Sequence, residues 1–372
     1  MKNCVRLIAV IIIAAALTLL CAATALAADA ESTAQAQADA LELDKLTLPD
    51  SARDIIGDMD VMDGLDAERG LAKLWSGIKG AIGGNIGGAM RSAAVIVLIA
   101  AVSGTANAAF GGKGGDYATL AGVLAIAAVC LTSVGTFVGM SEQVMDEMSA
   151  FSKLLLPTLS AAATASGALT SAAVKYAATV MFLNVMMSVA KSVIMPLIYA
   201  YSALSVGEAA LGSDALGGAA ALIKWLAKTA LTVMVVAFVA YISLVGVIAG
   251  ASDAVAVRAA KVTISTVLPV VGSILADAAD TVLSGAAIIK NAVGIFGMLA
   301  VTAICAAPFI KLGASYLLFK AAGGLAGALA DSRIMKLVNS IGAAFGLALG
   351  MAGVAAVMLY ISIIAVIRTV TG

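Results

Sequence analysis

Asp277 and Asp280 stand three residues apart in GSILADAADTVLSG (272–285), inside a chain that is 62% hydrophobic. On a helix, Ser273, Asp277, Asp280 and Ser284 follow the i, i+4, i+7, i+11 series, and Asn291 extends it by seven residues. They form one polar stripe on a segment whose other faces are Val, Ile, Leu and Ala. An ionised carboxylate at membrane depth costs about 3 kcal/mol on insertion scales, so it faces protein or water and finds a partner. Lys191, Lys261 and Lys290 are the available cations, and Arg258 stands near Lys261 in the chain. Two readings stay open: a structural ion pair or cap inside a bundle, and a hydrated surface that lines a conduit or grips another subunit.

Other chemistry is sparse. Histidine is absent, which removes the commonest general base and metal ligand. Cys4, Cys21, Cys130 and Cys305 have no metal-clip spacing and read as buried spectators. FGGKGGD (110–116) lacks the Ser or Thr that must follow the lysine of a phosphate loop. Neither a nucleophile elbow nor HExxH occurs, and both aspartates sit on one helix, whereas an intramembrane aspartyl protease needs one on each of two. No catalytic, cofactor or metal site is expected, and the chain does not read as an enzyme.

The elements that must carry the stripe are membrane helices. A mean hydropathy of +1.08 and 12% charged residues exclude a water-soluble globule, which carries roughly 25%. Residues 28–81 hold twelve Asp/Glu against five Lys/Arg, and 82–372 hold ten against fifteen. An acidic head therefore precedes a mildly basic body. Residues 1–27 read as a cleavable signal peptide: Lys2 and Arg6, an apolar stretch, then Ala25-Leu26-Ala27. Cleavage there leaves 28–81 as an acidic extracytoplasmic segment. From Leu41 it acquires spaced apolar residues (Leu43, Leu46, Leu48, Ile55, Ile56, Met59, Val61, Met62), which predict short amphipathic helices broken by Pro49 and Gly64. Asp58, Asp60, Asp63 and Asp66 do not keep the register of a calcium loop and read as a solvated face.

The fold class is an all-α polytopic membrane protein. In the body, 82–372, apolar runs fall at 84–109, 117–140, 154–174, 176–204, 229–251, 291–310 and 338–366, with weaker ones at 262–289 and 312–330. They predict seven or eight spans. The acidic stretch 141–153 reads as an outside loop, and Lys311 to Lys336 as cytoplasmic. An external N-terminus then requires 262–289 to cross; Arg91, Lys224 and Lys228 fit the scheme less well. Gly83/Gly87, Gly84/Gly88 and the row Gly342, Gly346, Gly350 have the small-xxx-small spacing that lets membrane helices pack closely.

Residues 246–297 are similar to a characteristic stretch of the stage III sporulation protein AE family. The matching elements are Arg258 with AAK (259–261), LPVVG (268–272), DAADTV (277–282) and KNAVG (290–294); SVIMPLIYAYSALS (192–205) matches a second segment. The likeness runs from about residue 150 to the C-terminus, and the head matches in character only. The resemblance implies a non-enzymatic subunit in the mother-cell membrane around the forespore of an endospore-forming bacterium. It implies a channel-like complex with sister proteins of the same operon, one a cytoplasmic ATPase, and with a forespore-side channel protein. It carries over no catalytic residues. The alternative from the residues themselves is a self-sufficient permease using Asp277 and Asp280 as an ion site.

Overall fold

The computed structural model describes residues 43, 46–62, 66–85, 87–167, 169–267 and 272–368; side chains are described except at 82–85, 169–172, 245–267 and 272–283. Among these residues there are helices and no strand. They are α1 (Asp50–Ile56), α2 (Ala67–Asn85), α3 (Gly87–Phe110), α4 (Gly112–Ala165), α5 (Leu169–Val189), α6 (Met195–Leu211), α7 (Asp214–Val267), α8 (Gly272–Leu329) and α9 (Ser332–Ile367).

The breaks follow local chemistry. Pro49 precedes α1 and its carbonyl accepts the Ala52 and Arg53 amides. Gly111 and Gly112, at φ +57° and +51°, turn α3 into α4, a backbone shape that side chains resist. Gly212 closes α6 in the left-handed conformation, and the Asp331 carboxylate caps α9 by accepting the Arg333 amide at 2.8 Å. Between α5 and α6 the chain widens into a π-turn at Ala190–Ile194. Pro196 follows it and offers no N–H to the Ser192 carbonyl, so the α-helical ladder is interrupted there.

Six helical stretches among the described residues are long and apolar enough to cross a membrane: 87–110, 112–165, 173–211, 214–244, 284–329 and 332–367. Seven or eight were expected, and the difference has a simple cause. The runs 117–140 and 154–174 were separated by charge, yet α4 continues from one through 141–153 to Ala165. That acidic stretch is helix interior and not a loop. The runs 291–310 and 312–330 likewise share α8. Of the run 262–289, residues 262–267 belong to α7 and 272–289 to α8, and 268–271 lie outside the described residues.

Gly111, Gly212 and Ala330 make the turns at one end of the bundle, where Ser103 of α3 donates to the Ala118 carbonyl of α4 at 3.0 Å and a Cβ on Gly104 would strike the Leu329 carbonyl. The six passes therefore alternate in direction from that end. α8 and α9 form the centre and are the most deeply buried of the candidate spans. Phe345 of α9 meets Phe137 of α4 and Phe319 of α8 edge-on, at 4.6 and 4.7 Å between centroids. Gly342 and Gly346 lie against Phe319 and Tyr316, and Gly350 against Leu231 of α7. The pair Gly87 and Gly88 is different: nothing stands within 4 Å of where their Cβ atoms would be, so these two glycines are not a packing seam. Leu43, Leu46, Leu48, Ile55, Ile56, Met59 and Val61 of the head are buried, and α1 and α2 pack on α8.

α4 and α7 have 54 residues each and α8 has 58. At 1.5 Å per residue these are about 80–87 Å long, well over twice a hydrocarbon core of about 30 Å.

Candidate functional site

Charge gathers at mid-height on α4. Glu142, Asp146 and Glu147 project from consecutive turns, and Glu142 and Asp146 share a face because they are four apart. Opposite them the π-turn presents Lys191, whose Nζ lies 2.5 Å from Asp146 Oδ1 and 3.6 Å from Glu142 Oε1. The node is part-solvated: the side chains of Lys191, Glu142 and Asp146 are 31%, 45% and 59% exposed. Glu147 faces the other way. It accepts from Gln143 Nε2 at 2.9 Å and from Ser51 Oγ of α1, which clips the acidic head to the bundle. One turn of α4 thus ties the π-turn between α5 and α6 on one side and the head on the other.

Lys191, one of the cations expected to be available to Asp277 and Asp280, meets the acids of 141–153. The missed signal was the i, i+4 spacing of Glu142 and Asp146 in a stretch without Gly or Pro. The side chains of Arg258, Lys261, Ser273, Asp277 and Asp280 lie outside the described residues; the stripe's backbone is the first turns of α8. Ser284 is exposed, and Lys290 is 2% exposed within α8. Cys130 and Cys305 are free thiols in the core. In the head, Asp58 pairs with Arg53 at 2.9 Å and Asp66 with Arg69 at 2.9 Å.

The turn end of the bundle is the second charged layer. Lys336 pairs with Glu208 at 3.9 Å; about 14–20 Å further into the bundle, Lys224 and Lys320 lie over the Tyr201 and Tyr316 rings at 5.7 and 6.0 Å. Seventeen residues separate Lys191 from Glu208, and eighteen separate Lys311 from Leu329. Along a helix these are about 25–27 Å, close to one hydrocarbon thickness. A layered arrangement of charge, a continuous all-helical body and an acidic head are the features to compare with known proteins.

Residues 68–370 match the family described as Stage III sporulation protein AE. The chain belongs to that family. It is 26% identical over 211 residues to Stage III sporulation protein AE of Bacillus subtilis (strain 168), a match covering 57% of this chain and 53% of that relative. The match thus spans about half the relative's length. No solved structure matches. The family name assigns a stage of sporulation and names no reaction. Membership and six apolar helices together make this a sporulation protein with the build of a membrane protein.

Proposed function

We propose that this chain is a non-enzymatic membrane subunit of a channel-like, secretion-like complex between mother cell and forespore. It sits in the mother-cell membrane around the forespore and serves late forespore development. Its partners are the sister proteins of its operon, including a cytoplasmic ATPase, and a forespore-side channel protein. The partner set rests on the family resemblance.

One observation carries the role of tall scaffold: α4, α7 and α8, at about 81–87 Å, are more than twice as long as the hydrocarbon core of a bilayer, about 30 Å, is thick. The bilayer lies between the turn end, with Arg333 and Lys336, and the Lys191 layer, and Lys224, Lys228 and Lys320 stand about 14–21 Å inward from that end along their helices. The basic end then faces the cytoplasm and the head lies on the opposite side. Beyond the Lys191 layer the bundle leaves the lipid but stays apolar at its surface. Met181, Val185, Val233, Val236, Val239 and Leu244 there are 41–66% exposed. An apolar flank outside lipid is a surface for other subunits.

A photo-crosslinking residue at Val239 in sporulating cells tests this. Protein adducts at Val239, with lipid-only adducts at Leu98 in the bilayer half, are expected. Lipid-only adducts at both positions, with substrate flux by the purified chain alone in vesicles, would replace the scaffold by the permease.

A further inference from the structure

Between α3, α4 and α8 lies an open cleft of about 570 Å³, lined among others by Gly88, Ser92, Thr132, Thr136, Lys311 and Phe319. Its volume falls in the range of small-molecule sites, about 300–1,000 Å³. Gly88 borders the cleft, and nothing stands within 4 Å of where its Cβ would be. Its depth is set by α4: Thr132 and Thr136 belong to the uncharged run from Tyr117 to Gly139, and Glu142 follows six residues after Thr136. On α4 the cleft therefore lies in the uncharged run and stops about 9 Å along the helix short of the charged layer.

The polar groups divide by role. Thr132 Oγ1 donates to the Ala128 carbonyl and Thr136 Oγ1 to the Thr132 carbonyl, each at 3.1 Å. Their hydroxyl protons are engaged and only lone pairs face the cleft. The strong donor is the Lys311 ammonium, half-buried, and no carboxylate among the described residues pairs with it. Arg91 is exposed on the same turn of α3 as Ser92, and on α2 Trp75 is 61% exposed with Lys79 at 5.1 Å from its ring. A tryptophan beside a lysine is the pairing that anchors helices at a membrane interface. A positive end on an apolar groove, at headgroup depth, complements one molecule: an anionic phospholipid with its phosphate on Lys311 and an acyl chain along the groove.

We propose that this cleft is a binding site for one anionic phospholipid. The placement of the bilayer gives its depth, but the test reads lipid retention and not sporulation, so the two can fail separately. Full-length protein in detergent is titrated with phosphatidylglycerol or phosphatidylcholine and examined by native mass spectrometry. One tightly retained phosphatidylglycerol is expected, preferred over phosphatidylcholine. Lys311→Gln lowers its affinity about tenfold, the scale of a lost charged hydrogen bond, and Lys311→Arg keeps it. Gly88→Leu fills the groove without changing charge and lowers it as well. Lys153→Gln, an exposed lysine on α4, leaves it unchanged. Equal retention by Lys311→Gln and wild type overturns the site. So does an equal loss in Lys153→Gln, which marks non-specific attraction, or displacement of the lipid by inorganic phosphate, which marks a site for a free anion.

Discussion

The Lys191 node makes a quantitative prediction. Both contacts are partly exposed, so each is discounted to about 0.5–1 kcal/mol rather than the value of a dry ion pair. Lys191→Gln removes both; the repulsion between Glu142 and Asp146 at i, i+4 is already present in the wild type and does not enter the difference. The variant is expected to lose about 1–2 kcal/mol, and Asp146→Asn about half as much. In a double-mutant cycle the coupling of the two is expected at about 0.5–1 kcal/mol. The assay is reversible unfolding of the full chain in mixed micelles, followed by helical circular dichroism at low and high salt. At 1 M salt the screening length is about 3 Å, and the coupling should shrink by more than half. A coupling indistinguishable from zero at low salt, or one indifferent to salt, would refute the node as an energetic link between α4 and the π-turn at Ala190–Ile194.

Other sites give sharper signs. Thr179 is fully buried and its hydroxyl is without a partner, so Thr179→Val is expected to stabilise by about 1 kcal/mol in the same unfolding assay. Gly104→Ala drives a Cβ into the Leu329 carbonyl and should cost about 1–3 kcal/mol; Gly350→Ala meets Leu231 at only 3.4 Å and should be much milder. The buried Tyr360 hydroxyl bonds Thr302 and donates to the Met298 carbonyl at 3.2 Å. Tyr360→Phe should cost about 1–2 kcal/mol.

Helicity and the apolar side of the head could be read directly from the chain, because composition and spacing act locally. The buried residues between Leu43 and Val61 were foreseeable for that reason. Helix continuity was not. Charge at 141–153 suggested a loop, but Glu, Gln and Met favour helix and nothing between Gly139 and Pro157 breaks one. Hydropathy locates what suits lipid, whereas hydrogen bonding decides where a helix stops. The partner of Lys191 was hidden for a related reason: it lies 45 residues away in the chain, a distance that only the antiparallel return of α5 and α6 closes. Small-xxx-small spacing also has two uses here. Gly342, Gly346 and Gly350 admit neighbouring helices, while Gly88 faces open space at the edge of a cleft.

The most direct test of the sporulation role is to delete the gene in its own host and count heat-resistant spores, with an intact copy restored as control. A collapse in spore number with normal vegetative growth, reversed by the restored copy, is expected of a forespore-channel subunit. Undiminished heat-resistant spores in the deletion strain would contradict it.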